Sequence, residues 1–354
     1  MAYEVEAGAV APDPASAYRA RAMSVDPVAV RHDEDIRITL CIATRNRPEL
    51  VERHLLPCLR RLPSGSSVIV VDQSTTAKTA ERLDGLDGIV YRRTDGIGLS
   101  RARNLAIRMT TAPLLAFTDD DVSFEPSWLD RLVALFDMNP EAGAVCGRAV
   151  TPSGQPVLGA AERSGVYRWP TNPFGLGAGL NMALRREALV DAGPFDEELG
   201  AGARFPAAED TDMIYRVMRA GWSVACSDEV IVTHHDWRSH RESLRLQYHY
   251  GVGAGAQTAK HVRAGDREAL WMALRLQLPE PRLLLRRLAS DRRQHGAGPR
   301  HMPRKLRLLR PRYGPRHLFF SAGMAAGFIG WRRAHIRRGV TPPANKTAAG
   351  DSSR

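Results

Sequence analysis

The sequence predicts an α/β fold built on a mostly parallel sheet. Two observations carry that expectation. Short β-branched, apolar runs alternate with helical patterns at βαβ spacing through residues 36–122, and three of the four runs end in polar or acidic residues. In open α/β sheets the ligand lies beyond the C-terminal strand ends, so these polar ends are expected on one rim.

Residues 1–35 are rich in Ala, Pro and acids without periodicity, and read as a disordered N-terminal arm. The run 36–43 (IRITLCIA) is the first buried strand, and Thr44-Arg45-Asn46-Arg47-Pro48 ends it. Pro48 suits the first turn of the helix that follows. Residues 67–72 form a second buried strand ending in Asp72, and 89–91 a short third. Gly96–Ser100 is a loop, with Ser100 placed to cap the helix 101–109. Residues 114–118 form a fourth strand that runs into Asp119-Asp120-Asp121. Downstream, 128–136 is an amphipathic helix, 143–147 a strand, 185–192 and 211–220 helices, and 221–226 and 230–232 late strands. Residues 151–180, rich in Gly and Pro, read as a long loop and a candidate lid. Residues 239–270 are helical in pattern, and Gly251, Gly253 and Gly255 lack dinucleotide-fingerprint spacing, so close helix packing is expected there.

Ordinary globular composition, 44% hydrophobic and 25% charged residues among 354, excludes a wholly disordered chain. The net charge of +11 is unevenly placed: −5 over residues 1–280, +15 over 281–340 and +1 over 341–354. A mildly acidic body with a basic tail argues against nucleic acid as the partner, and the tail lacks interleaved aromatics before Tyr313. The four cysteines form no CxxC pair, which fits buried thiols in a reducing compartment. The N-terminal residues hold no signal-type apolar segment, so a cytoplasmic location is expected. Within the tail, Leu318–Trp331 is a 14-residue uncharged stretch with three glycines and arginine flanks. It is short for a bilayer span. It fits attachment to an anionic membrane surface through 281–340, or a helical subdomain packed on the body or on a second subunit. Residues 341–354 read as a disordered tail.

The chemistry concentrates in a few places. Three adjacent carboxylates, Asp119 to Asp121, repel one another at the end of an apolar strand. Asp119 and Asp121 point the same way along an extended chain and suit Mn²⁺ or Mg²⁺; a solvated acidic turn is the plainer alternative. Glu209-Asp210 opens a helix, where ionised carboxylates are favoured, as a general base or simply as a cap. His234 and His235 follow a short strand and could complete a metal site or stand on the surface. Asp72 could accept from a nucleobase or ribose, or simply form a turn, and Arg101 and Arg103 could neutralise phosphate.

The order of these pieces resembles the family 2 glycosyltransferases. The matching segments are ITLCIATRNRPEL (38–50), VVDQS (70–74), GLSRARNLAI (98–107), FTDDDV (117–122), GLNMALRR (179–186), GPFDEEL (193–199), Glu209-Asp210 with Arg216, and Val232-Thr233-His234. The resemblance spans about residues 36–236. It implies a GT-A fold: a Rossmann-like mixed sheet flanked by helices, with a nucleotide half (36–122), an acceptor half (123–240) and a basic helical extension (241–340). It also implies roles. Thr44, Asn46, Asp72 and Arg103 would line the nucleotide site, Asp119 would meet the ribose, and Asp120 would lie beside them. Asp121 and His234, or His235 in its place, would hold the metal. Asn181 would face the acceptor, Asp210 would be the base and Glu209 would bind hydroxyls beside it. The implied reaction is inverting sugar transfer from a nucleotide-sugar donor to a glycan, lipid-linked or small-molecule acceptor, in glycan, envelope or glycolipid biosynthesis. Arg45 departs from the pattern, where an aromatic is expected. Nucleotidyl transfer, the nearest alternative chemistry, would want a glycine-rich triphosphate loop, and residues 44–48 contain no glycine. A non-enzymatic binder of anionic surfaces or nucleic acid is the third reading, motivated by the tail.

Overall fold

A computed structural model describes residues 36–62, 66–157, 164–235, 240–277 and 315–336. The expected N-terminal arm, the C-terminal tail 341–354 and residues 281–314 of the basic segment lie outside these residues.

A nine-stranded mixed sheet forms the centre. Strands β1 (Ile38–Thr44), β2 (Ser67–Asp72), β3 (Ile89–Arg93) and β4 (Leu114–Asp119) run parallel in the spatial order β3-β2-β1-β4. The sheet continues through β8 (Met182–Arg185), β6 (Ala142–Val150), β9 (Ser223–His234) and β5 (Val122–Phe124), with β7 (Gly165–Tyr167) paired to β9. Strand β8 is antiparallel to both β4 and β6, and this makes the sheet mixed.

The strands are apolar on both faces because both are covered. Leu40, Ile42, Val68, Val70 and Ala116 point into one core, with α1 and with α4 (Trp128–Met138). Helix α1 is a continuous run of Pro48–Leu50, a π-helical Val51–Leu55 and Leu56–Leu59. The alternate residues Cys41, Ile69, Val71, Leu115 and Phe117 point into a second core. That core is completed by α3 (Leu99–Arg108), α5 (Arg186–Ala192) and α6 (Glu209–Arg219). Helix α2 (Lys78–Leu83) lies between β2 and β3 in the chain. Gly193, at φ 78°, stops α5 in the left-handed conformation that glycine adopts without steric cost.

Four local expectations differ from the structure. Ser100 does not cap α3; the helix begins two residues earlier than expected, at Leu99, and the Ser100 hydroxyl donates to the Leu199 carbonyl (2.6 Å). The two late strands are one strand, β9, which passes a register shift between the Gly147↔Ser227 and Arg148↔Ile231 pairs. The helix expected over 239–270 is two, α7 (His240–Arg263) and α8 (Arg267–Gln277), broken at Ala264-Gly265-Asp266. The long loop expected over 151–180 contains a strand: β7 joins the sheet, and Leu176 and Leu180 are buried.

Helix α9 (Pro315–Ile336) carries the apolar stretch of the tail and packs along α7. The α7 glycines Gly251 and Gly255 face the α9 backbone, while Gly323 and Gly327 of α9 face the α7 backbone. Trp331 closes a third core with Leu199, Phe205, Ala256 and Ala259. Over this stretch the tail therefore packs on the body. No helix of the described residues is long and apolar enough to cross a membrane.

Candidate active site

The parallel pairing aligns the rim. Thr44 is in register with Asp72, and Ala43 with Asp119, so the three polar strand ends lie side by side. Asn46 takes φ 54°, a left-handed conformation unusual outside glycine. Its N–H donates to Ser74 Oγ (2.7 Å) and its Oδ1 accepts from the Thr75 N–H (2.9 Å), which ties the turn after β1 to the turn after β2. Asp72 is fully buried and accepts from the Ser74 N–H and the Tyr91 hydroxyl, each at 2.7 Å. Gln73 braces the 96–98 loop with paired bonds to the carbonyl (3.0 Å) and N–H (3.1 Å) of Gly98.

The three consecutive acids have different surroundings. Asp119 keeps a side-chain exposure of 28% and faces Arg103 Nη2 at 3.5 Å. Asp120 is buried, accepts from Thr44 Oγ1 (2.7 Å), and lies 2.9 Å from Arg47 Nη2. Burial pushes its carboxyl up to about 7 against the opposing pull of Arg47 and Thr44. Asp121 is buried between Arg47 Nη1 (3.5 Å) and His234 Nε2 (3.6 Å).

The pairing of β5 with the end of β9 sets Val122 opposite His234 and so delivers the imidazole to Asp121. His235 goes elsewhere: its ring stacks on His54 (centroids 3.8 Å apart) and bonds Ser123 Oγ at 2.8 Å. Of the two histidines, His234 is the one facing the carboxylates.

Helix α6 begins at Glu209 after Ala208, whose φ is 73°. Gly253 of α7 faces the Ala207 backbone and holds this entry in place. Asp210 is half-buried, and its two oxygens accept from the N–H groups of Gly179 (2.8 Å) and Thr211 (2.7 Å). Glu209 is buried, and burial, reinforced by the neighbouring Asp210 charge, pushes its carboxyl up to about 7. Arg103 joins the two halves of the site. It is itself buried, reaches Glu209 Oε1 at 3.0 Å and the Gly179 carbonyl at 3.2 Å, and lies over the rings of Phe117 and Phe195.

Asn181 is fully buried with its carboxamide committed to the scaffold. It accepts from Trp128 Nε1 and donates to the carbonyls of Arg148 and Val230, all at 2.9 Å. Sequence reasoning gave no role to Arg47, Tyr91 or Gln73. The only signal for Arg47 was its place before Pro48, in the turn that Asn46 reverses. Arg45, the departure from the family pattern, is exposed.

No cluster of three or more His, Cys, Asp or Glu among the described residues forms a ready metal cage. Asp121 and His234 are nevertheless a convergent carboxylate–imidazole pair of the chemical type that could hold a divalent cation.

Residues 39–189 match the glycosyl transferase family 2 model. An uncharacterized glycosyltransferase of Mycobacterium bovis is 30% identical over 194 residues, which cover 50% of this chain and 79% of that protein. The succinoglycan biosynthesis protein ExoM of Rhizobium meliloti is 29% identical over 225 residues, 60% of this chain and 71% of that one. The chain covers about half, 48%, of the pre-mycofactocin glycosyltransferase of Mycobacterium tuberculosis at 26% identity. Among solved structures, a mannosyltransferase from Pyrobaculum calidifontis, in complex with GDP-Man and Mn²⁺, superposes with a TM-score of 0.54 at 18% identity, over 92% of this chain and 94% of that one. The chain belongs to glycosyl transferase family 2 and has the GT-A fold. It is a glycosyltransferase.

Proposed function

We propose that this chain is an inverting, divalent-metal-dependent glycosyltransferase. It moves a sugar from a nucleotide-sugar donor to an acceptor hydroxyl in glycan, envelope or glycolipid biosynthesis. The observation that carries the reading is the convergence on Arg103, which touches Asp119 of the donor half and Glu209 beside Asp210 of the acceptor half. The names of relatives, succinoglycan biosynthesis among them, support a glycan setting, and the GDP-Man and Mn²⁺ of the Pyrobaculum structure support donor class and metal.

In this reading Thr44, Asn46 and Asp72 shape the nucleotide pocket, and Asp119 meets the ribose. Asp121 and His234 would hold Mn²⁺ or Mg²⁺, which supplies neutralisation of the charge on the departing nucleoside diphosphate. Asp210 is the general base. Its backbone hydrogen bonds fix its orientation, each oxygen keeps a further lone pair, and it takes the acceptor proton as that oxygen attacks the anomeric carbon. A single displacement inverts the anomeric configuration. Arg103 and Glu209 keep the base in line with the donor, with Glu209 at the sugar or acceptor hydroxyls. Release of nucleoside diphosphate across a panel of nucleotide sugars, with and without Mn²⁺, tests the reading. Full turnover by both Asp121→Ala and Asp210→Ala would rule the mechanism out.

For its place of work, we infer the inner face of a membrane. The support is the arginine-rich tail together with Leu318 and Phe319, which are 61% and 44% exposed at the start of α9. Full-length protein should co-sediment with anionic liposomes and lose that binding in Leu318→Ser/Phe319→Ser; equal sedimentation of the two would sink the inference.

A further inference from the structure

The guanidinium of Arg47 occupies the centre of the acidic rim. It lies 2.9 Å from Asp120 and 3.5 Å from Asp121, both buried carboxylates. The backbone makes this placement specific. Asn46, held left-handed by Ser74 and Thr75, reverses the chain so that Arg47 turns inward while Arg45 is exposed. Pro48 then starts α1 directly behind it. Buried acids this close together require a cation, and the polypeptide supplies one at the carboxylate proposed to hold the metal. The Arg47 side chain keeps 33% exposure, so it has room to leave along the open side of the rim, whereas Arg103, the other arginine on this rim, is 3% exposed and fixed by Glu209 and Gly179.

We infer that Arg47 is a built-in counter-cation that competes with the divalent metal for Asp121 and swings away when the metal binds. The inference rests on the assignment of Asp121 as a metal ligand. Two cations cannot share one carboxylate pair at this spacing without repulsion, so the guanidinium lowers the affinity for free metal. Displaced, it stands at the mouth of the donor site, a positive group facing an incoming diphosphate. The rim is thereby kept neutralised when no metal is present, and metal entry frees an anion-binding group.

The test is binding of Mn²⁺ alone, followed by electron paramagnetic resonance of the free ion, to the full chain and its Arg47→Ala, Arg47→Gln and Arg47→Lys variants. Arg47→Ala and Arg47→Gln should bind Mn²⁺ about tenfold or more tightly than wild type, and Arg47→Lys should stay within about threefold of it. Without metal, the two neutral variants should melt at lower temperature than wild type, and saturating Mn²⁺ should restore them. Unchanged or weaker Mn²⁺ binding in both neutral variants overturns the inference. Asp121→Asn separates the two failures. If it abolishes Mn²⁺ binding while the neutral Arg47 variants bind like wild type, Arg47 is no competitor and the metal assignment survives. If Mn²⁺ binding is indifferent to Asp121→Asn, the metal assignment falls and this inference with it.

Discussion

Arg103 Nη1 donates to Glu209 Oε1 at 3.0 Å across 106 positions of sequence, joining α3, which lies between β3 and β4, to α6, the helix that carries Asp210. Both side chains are buried, so neither has water to fall back on. Arg103→Met should therefore leave Glu209 without its cation, so that it keeps its proton to still higher pH, and should lower stability in denaturant unfolding. Turnover should fall further than the folded fraction does, because Arg103 also fixes Gly179, whose N–H orients Asp210. A variant with wild-type turnover per folded molecule would show that the bridge has no part in aligning the base.

Glu209 predicts a pH dependence of stability. Its folded carboxyl is raised from 4.5 to about 7, chiefly by burial and then by the Asp210 charge. A raised acid holds its proton in the folded state while the unfolded chain releases it. Its contribution to stability is present below pH 4.5 and is lost as pH rises through 7. Wild type should thus lose stability relative to Glu209→Gln between about pH 4.5 and 7, and little further above it. Urea unfolding of both proteins across that range measures the difference, and parallel curves would exclude a raised Glu209.

Asp212, one turn further along α6, predicts the opposite sign. Burial opposes its ionisation, but Lys260, Arg216 and the hydrogen bond from His261 outweigh that and hold it well below the usual carboxylate range. Arg216 Nε lies at 2.8 Å, Lys260 Nζ at 3.0 Å and His261 Nε2 at 2.8 Å, so one carboxylate fastens α6 to α7. A depressed acid stabilises the fold above its unfolded pKa, and that contribution is lost as pH falls through the folded value, here entirely in the acid range. Asp212→Asn should lower stability at neutral pH by leaving Arg216 without its carboxylate, while Lys260 keeps Asp196 at 2.7 Å. The variant should also show a flatter loss of stability below pH 4 than wild type.

The legible parts of this molecule are those with a local cause. Strands β1, β2 and β4 are apolar on both faces because the sheet is covered on both sides, and their polar ends fall on one rim because the strands are parallel. Strands β5, β7 and β8 are three or four residues long. They exist only because β4, β6 and β9 offer hydrogen-bonding edges, and no local pattern announces that. The same holds for side chains. Asp72 and the 119–121 acids are marked by their positions at strand ends. Asn181 sits in the stretch that resembles the family's acceptor segment, and its bonds to Trp128, Arg148 and Val230, residues 33 to 53 positions away, bury its carboxamide. Arg47 was passed over for a related reason: its partners are remote, and a turn arginine before proline looks like surface.

The glycines of α7 and α9 carry the last prediction. An added Cβ at Gly251 would meet the Phe320 carbonyl, and one at Gly255 that of Met324; from the other side, Gly323 meets Tyr248 and Gly327 meets Val252. The two backbones are in contact, and no rotamer change can relieve an added methyl, because the obstacle is main chain. Gly327→Val should force the helices apart, lift Trp331 from Leu199 and Phe205, and cost about 1–3 kcal/mol or more. Because Leu199 accepts from Ser100 and adjoins Gly200, which packs against Glu209, the loosened core should also lower turnover. Limited proteolysis should cut within residues 315–336 of the variant at protease levels that spare wild type. Gly330→Ala is the matched control, since an added Cβ there meets only the far edge of the Phe205 ring, and it should behave like wild type in both assays.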